Sequence, residues 1–221
     1  MEDDMFFKLD FGSYDFANVK VSRKIPMCLV LDSSGSMEGD KIKELNTNIH
    51  KFLDYIRNNA KASRICDLCI ITFGGVVNIV NNYSSIDDID FEDLVAGGRT
   101  PLGSAVAKAE ELLDARRQYY KDNSIEHYKP IMMLMSDGIP TEDYRDVARR
   151  FSERVSKKEL KIFPVGIGAD FDASVLKEFS PILNPKVIKD SSDFSKLFEL
   201  LSSSSSNPEN DSLEKWFNDE F

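Results

Sequence analysis

The sequence predicts an α/β fold: a doubly wound, mostly parallel six-stranded sheet with helices on both faces and one antiparallel edge strand. Three observations predict it. Two uninterrupted apolar runs, Ile25–Leu31 and Pro130–Ser136, each stop at an aspartate, Asp32 or Asp137. Runs without polar alternation suit strands buried on both faces, as in a parallel sheet. Such runs alternate with stretches of three-and-four apolar spacing, the signature of βαβ units.

The elements follow in order. After the first strand, Ile42, Leu45, Ile49, Phe52 and Ile56 mark an amphipathic helix over 40–59. Ile65–Phe73 is the second strand and Val76–Val80 the third. Gly74-Gly75 between them is a tight turn, which makes this pair an antiparallel hairpin. Residues 97–103 form a glycine-rich loop. Leu102, Val106, Ala109 and Leu113 then line one face of a helix. After the Pro130–Ser136 strand, Tyr144, Val147, Ala148, Phe151 and Val155 line another. Ile162–Ile167 is a strand, Asp172–Phe179 a short helix and Lys186–Ile188 an edge strand. Phe194, Leu197, Phe198 and Leu201 mark a last helix. No internal repeat occurs. The organisation is an acidic aromatic extension over 1–20, one domain over 21–201, and a serine-rich linker with an acidic, Trp-containing tail over 202–221.

Composition excludes several classes. The 221 residues carry a net charge of −10. Residues 1–10 contribute −3 and residues 202–221 contribute −4, so the domain between is nearly balanced. An acidic chain without a basic block is a poor nucleic-acid binder. Met1-Glu2-Asp3-Asp4 does not resemble a secretory signal, and the apolar runs are too short to span a bilayer. Three cysteines do not make a disulfide framework. The expectation is a cytoplasmic protein bound neither to nucleic acid nor to membrane.

In an open parallel sheet, ligands gather at the carboxyl ends of the strands. Three polar clusters fall there: Asp32-Ser33-Ser34-Gly35-Ser36, Thr100 in its glycine loop, and Asp137. All are oxygen donors, which suits a hard divalent cation. Mg²⁺ is the expected ion, with Mn²⁺ or Ca²⁺ as alternatives. Two carboxylates balance its charge, while neutral hydroxyls leave it electrophilic toward an outside anion. The competing reading is that these side chains cap turns and helices.

Asp32-x-Ser34-x-Ser36, Thr100 and Asp137-Gly138, in this order, resemble the metal-ion-dependent adhesion site of von Willebrand factor A domains. The resemblance covers about residues 24–200. The segments 32–39, 100–103 and 136–141 look most like the bacterial TerY-like subgroup. The resemblance implies that Ser34, Ser36 and Thr100 contact the metal, that Asp32 and Asp137 act through water, and that a partner's Glu or Asp completes the coordination. It further implies a protein-interaction module without catalytic residues, tied to tellurite and other stress resistance. Companion protein kinases and phosphatases are the implied partners. Rival readings are a metal-dependent hydrolase of phosphate esters, and a structural subunit with a vestigial site.

Other motifs weigh less. Cys66-Asp-Leu-Cys69 spells C-x-x-C, but positions i and i+3 of a strand point to opposite faces. Gly98 to Gly103 mimics a phosphate loop without its lysine, and Gly166-Ile-Gly168 lacks the third glycine of a dinucleotide fingerprint. His50 and His127 lie away from the three clusters, which leaves no evident general base. In the tail, Leu213, Trp216 and Phe217 form an apolar stripe at helical spacing. It reads either as a solvated, disordered tail or as a docking segment for a partner groove.

Overall fold

The computed structural model describes residues 23–138, 140–168 and 171–187, with the isolated helical positions Lys196 and Lys215. The central strand, β1 (Ile25–Asp32), is buried along its whole length. It is flanked in parallel by β2 (Cys66–Gly74) and β4 (Ile131–Ser136). β3 (Val76–Asn82) turns back antiparallel on β2, while β5 (Lys161–Gly166) and β6 (Lys186–Val187) extend the parallel side beyond β4. The six-stranded order is β3-β2-β1-β4-β5-β6. This is the mixed sheet with one antiparallel edge that the sequence predicts.

The alternation of β1 separates two cores. Met27, Leu29 and Leu31 face α1 (Asp40–Asn58) through Leu45, Ile49 and Phe52. Cys28 and Val30 face the opposite layer, α3 (Leu102–Asp122), α4 (Arg145–Ser156) and α5 (Ala173–Phe179). Ala105, Ala109, Phe151 and Phe179 fill that layer. Helices thus cover both faces, because each strand offers an apolar set to each side.

Several boundaries shift by a residue or two from the sequence reading. A short helix, α2 (Ala60–Ile65), precedes β2, so that strand starts at Cys66. The Asn59 side chain accepts from the Ala62 N–H at 3.0 Å and opens this extra turn. β3 runs on to Asn82, with Val76, Ile79 and Val80 exposed along the sheet edge. The edge strand read at Lys186–Ile188 is described for Lys186–Val187. The stretch read as the last helix has only Lys196 described, and that residue is helical. Residues 1–20 and Leu213, Trp216 and Phe217 lie outside the described residues, as does Ile188.

One feature of the topology positions the site. From β1 the chain crosses through α1 to β2 on one side; β4 lies on the other side of β1 and follows α3 on the opposite face. The carboxyl ends of β1 and β4 therefore flank the point where the strand order reverses, the place where open parallel sheets generally hold their ligands.

Candidate functional site

Asp32 is the last residue of β1 and is fully buried. The chain turns directly after it. Ser34 N–H donates to Asp32 Oδ1 at 2.8 Å, and Ser33 N–H bonds the Phe73 carbonyl at 2.8 Å. The turn continues as a 3-10 helix over Gly35–Met37, anchored by the buried Met37. Ser34 Oγ and Ser36 Oγ end up 3.1 Å apart, so the two hydroxyls share one side of the turn.

From the neighbouring strand, Asp137 follows β4 directly. Ser36 Oγ donates to Asp137 Oδ1 at 2.8 Å, and Lys41 Nζ donates to Asp137 Oδ2 at 2.7 Å. Ser136 Oγ donates to Asp32 Oδ2 at 2.5 Å and accepts from Gly138 N–H at 3.0 Å. Asp32, Ser34, Ser36 and Asp137, four of the five residues singled out in the sequence, thus form one hydrogen-bonded group with Ser136 and Lys41.

Thr100 joins through the backbone of its loop. Gly35 N–H donates to the Gly98 carbonyl at 3.1 Å, and Gly97 N–H to the Ser33 carbonyl at 2.8 Å. Thr100 is buried, its N–H bonds Thr141 Oγ1 at 3.0 Å, and its carbonyl accepts from Thr141 N–H at 3.1 Å. Gly98 makes this loop possible. Its φ is +75°, and a Cβ there would lie 2.6 Å from Gly75 N.

Burial raises the Asp32 pKa above its ordinary value. Hydrogen bonds from Ser136 and Ser34 oppose the shift, and the neighbouring Asp137 charge adds to it. A buried carboxylate held in its costly form is relieved by a cation. The donor set fits a hard one, being two carboxylates and neutral hydroxyls with no imidazole or thiolate. Among the described residues, no three His, Cys, Asp or Glu side chains cluster as a metal site, so hydroxyls must supply part of any shell here. Gly138 keeps the space open. A Cβ on it would lie 3.3 Å from Ser36 Oγ and 3.9 Å from Asp32 Oδ2.

Sequence reasoning missed three contributors. Ser136 and Thr141 bound the segment 136–141 that carries the family resemblance, but the sequence singles out neither as a hydrogen-bond partner of the site. Lys41 does carry a signal: it is the second residue of α1, where the helix dipole disfavours a cation, so a carboxylate partner is called for.

The remaining motifs are absorbed by packing. Cys66 packs against the α1 side of the sheet and Cys69 lies in the opposite core, as the strand period requires. A Cβ on Gly166 would collide with the Phe171 ring at 2.5 Å, and Gly168 turns the chain at φ +82°. A Cβ on Gly103 would lie 3.0 Å from Tyr144 Cα. These glycines serve close contacts and a turn. His50 Nε2 pairs with Asp93 at 2.8 Å, and His127 Nδ1 with the Tyr128 carbonyl at 2.9 Å.

The von Willebrand factor type A domain model matches residues 27–203. No curated protein sequence matches the chain significantly. Among solved structures, proximal thread matrix protein 1 of the mussel byssus superposes with a TM-score of 0.56 at 15% identity, covering 84% of this chain and 49% of that one. This chain therefore spans about half of the mussel protein. Manganese-loaded TRAP protein of Plasmodium vivax superposes with a TM-score of 0.56 at 16% identity, over 78% of this chain and 71% of that one. The ArnB paralog VWA2 of Sulfolobus acidocaldarius gives 0.51 at 18% identity, over 82% and 45%. At these identities the likeness is one of fold.

Proposed function

Starting from a chain that belongs to the von Willebrand factor type A domain family, we propose that it is a metal-dependent protein-interaction module. The observation that carries the reading is the hydrogen-bonded convergence of Asp32, Ser34, Ser36 and Asp137 at the carboxyl ends of β1 and β4. Ser34, Ser36 and Thr100 would hold the ion directly, and Asp32 and Asp137 through water. The ion supplies an electrophilic coordination position, and a Glu or Asp of the partner protein fills it.

Mg²⁺ is the ion assigned, with Mn²⁺ and Ca²⁺ as alternatives. The manganese-loaded TRAP protein and the mussel protein with zinc in its MIDAS motif support a divalent cation in general. The module is read as a binding protein rather than an enzyme, because both imidazoles are engaged elsewhere and the site holds no evident base.

The TerY-like loop segments 32–39, 100–103 and 136–141 support a bacterial stress-resistance setting of the tellurite type, with a protein kinase and a phosphatase as companions. A cytoplasmic location fits the three free cysteines. No described helix is long and apolar enough to cross a membrane. Leu213, Trp216 and Phe217 are assigned to partner docking, a role that deletion of 207–221 tests by its effect on partner capture.

Affinity capture with and without EDTA, read by mass spectrometry, tests the whole reading. Partners should be lost in EDTA and in Asp32→Ala. Calorimetry should show Mg²⁺ or Mn²⁺ binding to the wild type that Asp32→Ala and Ser34→Ala abolish. Equal metal binding by those variants overturns the assignment.

A further inference from the structure

Lys41 stands where helix electrostatics would not put it. It is the second residue of α1, at the positive end of the helix dipole. Its ammonium reaches Asp137 Oδ2 at 2.7 Å, and the two side chains are only 22% and 1% exposed. Asp137 divides its two oxygens. Oδ1 takes the hydroxyl of Ser36, and Oδ2 takes Lys41. Among the described contacts, the group joins two carboxylates and one ammonium, together a formal charge of −1 that Lys41 makes one unit less negative.

We propose that Lys41 is a specificity-determining residue of this site, one that weakens the hold on the metal in order to strengthen the hold on a carboxylate ligand. The argument is one of charge. With a divalent ion the group stands at +1, and one carboxylate from outside brings it to zero. Without the lysine, the loaded group would already be neutral, and an arriving carboxylate would leave it at −1 in a largely buried setting. Complementary charge favours the first case. The ammonium also repels the ion directly and competes for Asp137, so the two effects have opposite signs. Linkage then makes metal and acidic ligand mutually reinforcing, each binding better when the other is present. The inference rests on the proposed metal site with its carboxylate-bearing partner and adds the residue that sets the balance between the two.

Lys41→Gln removes the charge and keeps a good helix former, while Lys41→Arg keeps the charge. The probes are Mn²⁺ alone, followed by calorimetry, and sodium acetate added to the Mn²⁺-loaded protein at constant ionic strength, followed by water-proton relaxation. Lys41→Gln should bind Mn²⁺ tighter by about three- to tenfold and acetate weaker by a similar factor, the scale of one charge partly screened by solvent. Lys41→Arg should stay within about twofold of wild type on both, because the charge is retained. Thermal melts should show a larger Mn²⁺-induced gain for Lys41→Gln than for wild type. If Lys41→Gln binds Mn²⁺ no tighter, or acetate no more weakly, while wild type binds Mn²⁺, the role of Lys41 is refuted and the metal site stands. If wild type binds no Mn²⁺, both fall.

Discussion

Ser136 Oγ lies 2.5 Å from Asp32 Oδ2, a bond between the ends of two adjacent parallel strands. It fixes the one carboxylate of the site that is buried on β1, and the same oxygen accepts from Gly138 N–H. Ser136→Ala should leave both groups without this partner. Orienting partners of metal-site carboxylates are commonly worth about 10–100-fold in affinity. We expect Mn²⁺ binding to fall by about tenfold, with a stability loss of about 1–3 kcal/mol for the unsatisfied buried groups. Calorimetry and urea unfolding read the two effects, and unchanged metal affinity would remove Ser136 from the site.

Much of this arrangement is legible in the sequence, for physical reasons. Apolar runs that stop at Asp32 and Asp137 mark strand ends, and parallel strands bring like ends together. Any two such aspartates on neighbouring strands then meet at the same edge. The hairpin is legible in Gly74-Gly75, and the oxygen-donor character of the cluster in residue type alone. Ser136 is not, because a serine ending a strand looks the same whether it faces solvent or a carboxylate. The α2 turn is hidden because it depends on the side chain of Asn59 capping a six-residue helix. The bulk of a strand comes from pattern, whereas a cap comes from one contact.

Glycines 138 and 98 separate a binding defect from a folding defect. The Gly138 backbone is not in the left-handed region, and the nearest atoms to an added Cβ belong to Ser36 and Asp32. Gly138→Ala should lower Mn²⁺ affinity by about tenfold, the scale of a perturbed ligand shell, and change stability by under about 1 kcal/mol. Gly98→Ala meets both a positive φ and a backbone contact at 2.6 Å. It should cost about 1–3 kcal/mol of stability as the Thr100 loop shifts. Thermal melts in EDTA beside metal titrations read the contrast, and equal melting temperatures for the two variants would contradict it.

The thiols should be inert. Cys28 and Cys69 are fully buried, side by side in the register of β1 and β2. Burial pushes the Cys66 thiol up to about 12, with the Asp67 charge adding to the shift. The thiolate is the reactive form, so none of the three should react with DTNB in the native protein at neutral pH, and all three should react in denaturant. Rapid labelling of Cys66 and Cys69 in the native state would revive a role for the C-x-x-C sequence.

Asp32 gives a pH dependence with a definite sign. Its folded pKa is raised above the ordinary 3.8, chiefly by burial. Between the unfolded and folded values the native state binds more protons than the unfolded chain, so stability falls as pH rises through that window and stays lower above it. Asp172 works the other way. Ser174 hydrogen bonds hold its carboxyl below the ordinary value, so its contribution is lost as pH falls through that lower folded value. The difference between wild type and Asp32→Asn isolates the Asp32 share. In EDTA, Asp32→Asn should gain stability relative to wild type as pH rises above the ordinary carboxylate value of about 4. A gain of 1 kcal/mol corresponds to about 2–4 °C in a chain of this size. Added Mn²⁺ should stabilise wild type by mass action and leave the variant unmoved. Denaturation at several pH values, with EDTA or with Mn²⁺, measures both trends. A pH-independent difference between the two proteins would show that burial of the Asp32 charge is not what the folded state gives up to keep this site ready for a cation.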